Sequence, residues 1–161
     1  MERCAIPAAQ IDDVIFGCSN QAGEDNRNVA RMAALLAGLP VGVPGQTVNR
    51  LCGSGLEAVA SAAHAVRAGE GEVFIAGGVE SMSRWPMGSD GGAWVMDPRI
   101  NQKTGFVPQG VGADLIGTLE GWHRADVNAF ALMSHQRAAA ARAEGRFAKS
   151  IVPVISTCSR T

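Results

Sequence analysis

The sequence predicts an α/β fold in which a mostly parallel sheet carries helices on its faces. Three observations carry that prediction. Short apolar runs alternate with segments of helical period, the connections between them are short, and the helical segments end at glycine. Val14-Ile15-Phe16 is the first such run, stopped by Gly17 as a buried strand would be. Polar residues 19–28 then form a loop that ends at a helix start, Asn28. In that helix Val29, Met32, Ala33 and Leu36 repeat at i, i+3, i+4 and i+7, with Gly38 and Pro40 as the stop. The stripe is expected to lie on the sheet. The second strand is placed at about Thr47 to Leu51. The helix after Cys52 carries Leu56, Val59, Ala60 and Ala63 on one face and ends at Gly69. Val73-Phe74-Ile75-Ala76 gives the third strand, and no internal repeat is visible.

From Ser83 to about Gly121 the periodicity dissolves into Gly, Pro, Trp and Met. A segment of that length without regular structure is expected to be a functional loop or lid, a partly disordered insertion being the other reading. Trp85, Trp94 and Trp122 fall in or beside it, and their indoles are expected to be buried. Beyond it, Asp126 to about Ala143 reads as a helix with Val127, Phe130, Ala131, Ala138 and Ala141 toward one side, closed by Gly145.

Composition narrows the function classes. The 161 residues suffice for one ordinary domain core, and no segment approaches the roughly 20 apolar residues of a membrane span. Fourteen basic and fifteen acidic residues, scattered without runs, leave no footprint for nucleic acid or an anionic membrane. Cys4, Cys18, Cys52 and Cys158 show neither zinc spacing nor the density of a disulfide-stapled domain, so reduced thiols and no metal are expected. The first residues lack the apolar core of a secretory signal, which places the chain in the cytoplasm by elimination.

The chemistry concentrates at Thr47-Val48-Asn49-Arg50-Leu51-Cys52-Gly53-Ser54-Gly55-Leu56, where a strand runs into an Ala-rich helix. A cysteine there meets the open N–H groups and the positive end of the helix dipole, and is expected to ionise more readily than a free thiol. Gly53 and Gly55 let the backbone turn sharply and let a substrate carbonyl approach main-chain donors. By spacing alone, a buried packing cysteine is an equally good reading of Cys52. The histidines add no base. His135 sits on a polar helix position, His64 lies three turns along the helix from Cys52, and His123 has no motif around it.

A wider pattern separates the two readings. Asn49-Arg50-Leu51-Cys52-Gly53-Ser54-Gly55, followed by Gly77-Gly78-Val79-Glu80-Ser81-Met82-Ser83, resembles the nucleophile segment and downstream glycine-rich strand end of the thiolases. Asp12-Asp13-Val14-Ile15-Phe16-Gly17, the stretch from Gly23 to Arg31, and Ser134-His135-Gln136-Arg137-Ala138 also resemble that family, over about residues 8 to 154. The resemblance implies a partial thiolase-type layered fold. Residues 1–83 would form part of the nucleophile-bearing N-terminal domain, and residues 84–161 part of the loop domain that covers the pantetheine arm, with an aberrant tail. It implies that Cys52 forms the acyl-enzyme between a 3-oxoacyl-CoA and CoA, in either direction, with the backbone at Gly77, Gly78 and Val79 packed near it.

The same resemblance implies coenzyme A thioesters as substrates, no tightly bound cofactor, and a dimer or tetramer of like chains. In the family the histidines and second cysteine that complete the cycle lie in C-terminal segments absent from these 161 residues, and Cys158 has no glycines around it and reads as tail. A first strand and the last strand of the half are also expected to be missing, leaving the chain inactive alone. Val107-Pro108-Gln109-Gly110-Val111-Gly112-Ala113-Asp114-Leu115 replaces the family's biosynthetic pattern, so a bulkier acyl group from fatty-acid, aromatic or steroid breakdown is as consistent as acetoacetyl. The alternatives are a non-catalytic fragment or partner subunit of a complete thiolase and, more remotely, a ketoacyl synthase-like or hydroxymethylglutaryl-type condensing enzyme.

Overall fold

Alternating side-chain direction along one strand organises the first half of the molecule. The structure is a computed structural model that describes residues 4–21, 27–89 and 91–154. Strand β1 (Asp13–Gly17) is central, with β2 (Gly45–Val48) on one side and β3 (Phe74–Gly78) on the other, all parallel. Val14 pairs with Gly45 and Ile75, and Gly17 with Val48 and Gly78. Because successive strand residues face opposite sides, Val14 and Ile15 enter different cores. Val14 packs with Ile11, Leu39, Val43 and with Ala30 and Ala34 of α1 (Val29–Leu36); Ile15 packs with Ala58 and Ala62 of α2 (Ser54–Ala68). The expected parallel sheet with helices on both faces is therefore present. It lies in a first compact unit, Met1–Ile100, while Asn101–Thr161 forms a second.

Local chemistry fixes the element ends. Asn28 caps α1 by accepting from the Arg31 amide at 3.1 Å, and its Nδ2 donates to the Gly45 carbonyl at 2.8 Å, tying helix to strand. The Arg31 guanidinium donates to the carbonyls of Val43 and Val41 in the connection between α1 and β2. Gly69, at φ +75°, closes α2 in the left-handed conformation that glycine adopts without a Cβ clash. The Asp12 carboxylate accepts from the Val73 and Glu72 amides at 2.9 and 2.7 Å, which joins the start of β1 to the start of β3. Those two amides hold the carboxyl below the usual carboxylate range.

Several expectations are corrected. The second strand is Gly45–Val48 rather than Thr47 to Leu51, because residues 49–53 turn into α2. The buried face of α1 is Ala30 and Ala34, with Leu36 90% exposed; the buried face of α2 is Ser54, Ala58 and Ala62, with Leu56 77% exposed. Close approach of helix to sheet explains both. A Cβ on Gly45 would lie 2.8 Å from the Arg31 nitrogen and Cα, a spacing that admits only the smallest helix side chains at the contact.

The stretch from Ser83 to Gly121 is not irregular throughout. It holds α3 (Ala93–Met96), α4 (Pro98–Thr104) and α5 (Gln109–Leu119). Asp97 stands directly before Pro98 and its carboxylate accepts from the Arg99 amide at 2.9 Å, an N-terminal signal for a short helix that a reading by apolar period passes over. Trp94 and Trp122 are exposed rather than buried, and only Trp85 is half-buried. In the second unit α6 (Arg124–Ala143) begins two residues earlier than expected, with the Asp126 carboxylate accepting from the His123 amide at 2.8 Å, and Gly145 at φ +69° follows its end. Val127 and Phe130, expected on a packed side, are exposed. Among the described residues no helix is long and apolar enough to cross a membrane.

Candidate active site

The turn between β2 and α2 is built by its own side chains. Asn49 Oδ1 accepts from the Leu51 amide at 2.9 Å. The Gly53 and Ser54 amides donate back to the carbonyls of Arg50 and Leu51 at 3.0 and 3.1 Å. Ser54 is buried, and its hydroxyl both accepts from the Arg50 amide at 2.8 Å and donates to the Leu51 carbonyl at 2.6 Å. Arg50 also reaches across the first helical turn to Glu57 at 2.9 Å. With so many bonds converging, Leu51 is held at φ +51°, a left-handed conformation that costs a non-glycine residue about 1–2 kcal/mol. Its neighbour Cys52 is thereby set directly before Gly53, the residue that caps α2, and it is exposed. The amides of Gly55 and Leu56 take no acceptor among the described residues, the usual state of a helix's first turn.

Glycines bring this turn onto the sheet. A Cβ on Gly17 would overlap the Ser54 carbonyl group, and one on Gly78 would lie 3.0 Å from the Gly17 oxygen and 3.4 Å from the Gly55 Cα. The ends of β1 and β3 therefore sit against the first turn of α2, with Gly78 beside the nucleophile segment. Gly55 itself faces open space, so it leaves room beside the turn instead of packing. The arrangement puts Cys52 outside the carboxyl ends of the strands, where parallel sheets with helices on both faces ordinarily hold their ligands.

Two neighbouring loops are tied to that turn by hydrogen bonds between residues far apart in the chain. The Glu80 carboxylate accepts from the Ser19 amide at 2.8 Å and the Asn20 amide at 3.2 Å, and the buried Cys18 thiol donates to it at 3.8 Å. Asn49 Nδ2 donates to the Ser19 carbonyl at 3.0 Å, and Asn20 Nδ2 to Ser89 Oγ at 3.0 Å. Each pair is distant in sequence, so no spacing rule finds it.

The remaining candidates lie elsewhere. His64 lines a cavity of about 350 Å³ with Asp13, Gln46, Ser61, Glu70 and Phe74, among the first residues of the strands and therefore away from Cys52. His123 and His135 belong to the second unit and are exposed. Cys4 is exposed, and Cys158 and part of the Gly23 to Arg31 stretch lie outside the described residues. Among the described residues no group of three or more His, Cys, Asp or Glu could hold a metal ion.

Comparison with known proteins gives a consistent answer. A family model described as thiolase, N-terminal domain, matches residues 1–161. The chain is 52% identical over 162 residues to a β-ketoadipyl-CoA thiolase of Acinetobacter baylyi, covering 91% of this chain and 40% of that protein. It is 49% identical over 166 residues to a 3-oxoadipyl-CoA/3-oxo-5,6-dehydrosuberyl-CoA thiolase of Escherichia coli K12, covering 93% and 41%. The crystal structure of an acetyl-CoA acetyltransferase of Bacillus anthracis superposes with a TM-score of 0.81 at 32% identity, over 99% of this chain and 43% of that one. The chain thus spans about two-fifths of the length of these relatives.

Proposed function

The chain belongs to the thiolase family, and from that premise we propose that it supplies the acyl-accepting cysteine, Cys52, for acyl exchange between coenzyme A thioesters. The observation that carries this reading is the exposed thiol on a rigid turn directly before α2, at the carboxyl edge of the sheet. In the degradative direction the Cys52 sulfur bonds to the 3-oxo carbon, the bond between that carbon and C2 breaks, and C2 takes a proton to leave as acetyl-CoA. The acyl group then passes to the thiol of a second CoA. The names of the oxoadipyl-CoA relatives support a 3-oxoacyl chain that ends in a carboxylate, over acetoacetyl-CoA. They equally favour thiolytic exchange over decarboxylative condensation. Residues 1–83 hold the nucleophile in this reading, no cofactor is tightly bound, and like chains assemble in the cytoplasm.

Full turnover also needs a base and an acid near the sulfur. His64 is directed away from the turn, so we propose that the 161-residue chain accepts an acyl group but depends on further polypeptide for turnover. The exposed Leu56 and Val59 on α2 and Leu36 on α1 favour such a partner, since bare apolar helix faces mark docking surfaces.

The test is intact-mass and peptide analysis after mixing the chain with 3-oxoadipyl-CoA. A thioester adduct confined to Cys52 and lost in Cys52→Ala is expected; an adduct that persists in Cys52→Ala, or that forms on Cys4 alone, overturns the assignment.

A further inference from the structure

The backbone ladders of the sheet run just past the ends of its strands. Cys18, which follows β1, donates its amide to the Val48 carbonyl at 3.1 Å, and Val79, which follows β3, donates its amide to the Gly17 carbonyl at 3.0 Å. Beyond that point side chains take over, and two of them act on Ser19. The Ser19 amide donates to the Glu80 carboxylate at 2.8 Å, and the Ser19 carbonyl accepts from Asn49 Nδ2 at 3.0 Å. Ser19 therefore ties together the segments that leave all three strands. Asn49 has a second bond, because its Oδ1 accepts from the Leu51 amide at 2.9 Å inside the turn that sets Cys52 before α2.

That bond acts on the strained residue. The φ of Leu51, +51°, is the rotation between the peptide group that contains its amide and the one that contains its carbonyl. The carbonyl side is held by the start of α2, through the Ser54 amide at 3.1 Å and the Ser54 hydroxyl at 2.6 Å. On the other side the Gly53 amide reaches the Arg50 carbonyl at 3.0 Å, and Asn49 holds the Leu51 amide itself. Asn49 is fixed by Ser19, which lies outside the turn, so the angle is set against the sheet. A leucine released on one side relaxes toward negative φ, and that rotation swings the residue that follows it, Cys52. We propose that Asn49 is a positioning residue for acyl transfer, which holds Leu51 left-handed and so aims the Cys52 sulfur, an inference that rests on the acyl-transfer reading above.

The test compares the unaltered chain with Asn49→Ala, Leu51→Gly and the chain carrying both substitutions. Asn49 is exposed and belongs to neither core, so the fold is expected to persist, as circular dichroism checks. Rates at Cys52 are read by peptide mass spectrometry with 3-oxoadipyl-CoA, whose attack needs an aimed sulfur, and with iodoacetamide, which meets an exposed thiol from any side. Asn49→Ala is expected to be acylated about fivefold more slowly, the hold of one hydrogen bond. Its alkylation should stay within about twofold of the unaltered rate, because the thiol remains exposed. Glycine takes positive φ without a Cβ clash, so in the Leu51→Gly background loss of Asn49 should change acylation by less than about twofold. Equal acylation of Asn49→Ala and the unaltered chain overturns the positioning role and leaves acyl transfer standing. A fall in alkylation that matches the fall in acylation does the same, as does a loss that persists in full in the Leu51→Gly background. The absence of any Cys52 adduct from 3-oxoadipyl-CoA on the unaltered chain overturns both.

Discussion

Gly17, the last residue of β1, lies so close to Ser54, the first residue of α2, that a side chain on Gly17 would overlap the Ser54 carbonyl and stand 2.5 Å from the Gly55 nitrogen. The contact is backbone on backbone, so no rotamer change can relieve it. It seats the start of the helix, and with it the turn that carries Cys52, on the end of the central strand.

Gly17→Ala is therefore expected to lower stability by about 1–3 kcal/mol, the usual range for forced overpacking, and to slow acylation of Cys52. Gly55→Ala is the matched control, because a Cβ there meets open space. Urea denaturation of the two variants should separate them, with Gly55→Ala no less stable than the unaltered chain.

Ser54→Ala removes the hydroxyl that serves the Arg50 amide and the Leu51 carbonyl. The site is buried, so a loss of about 1–3 kcal/mol is expected from the stranded backbone groups. Thermal unfolding measures the loss. Acylation assayed well below the transition should also fall, since the strained Leu51 loses the bonds that hold it.

Glu80→Gln leaves a single acceptor oxygen where the carboxylate now serves the Ser19 and Asn20 amides through different oxygens. One of the two amides is expected to lose its bond and exchange faster with deuterium. Equal protection of both in the variant would show that the loop does not depend on the second oxygen.

The Asp12 carboxyl is held below its ordinary value of 3.8 by the Val73 and Glu72 amides. A folded value below the unfolded one means that the ion contributes stability above the ordinary carboxylate range, and that the contribution fades as pH falls through the lower folded value. Urea midpoints taken at about pH 7 and about pH 3 should fall further in the unaltered chain than in Asp12→Asn, which has no proton to gain.

The sequence by itself determined the order of elements from β1 to β3 and the place of the candidate nucleophile. Apolar runs stopped at Gly17, the Asn28 cap and the Gly69 stop are local signals, and local signals survive in any tertiary setting. Cys52 between a strand and a helix was legible for the same reason. Tertiary structure alone decided which helix faces are buried. Periodicity selected the most apolar stripes, Leu36 on α1 and Leu56 and Val59 on α2, yet the sheet contacts belong to Ala30, Ala34, Ala58 and Ala62. Helices that approach a sheet at Gly17, Gly45 and Gly78 leave room only for the smallest side chains, and that distance is a property of two chain segments together, invisible in either. The ties of Glu80 to Ser19 and of Asn49 to Leu51 and Ser19 that frame the site were hidden for a related reason, because a polar side chain announces what it can bond and only the folded backbone brings it a partner.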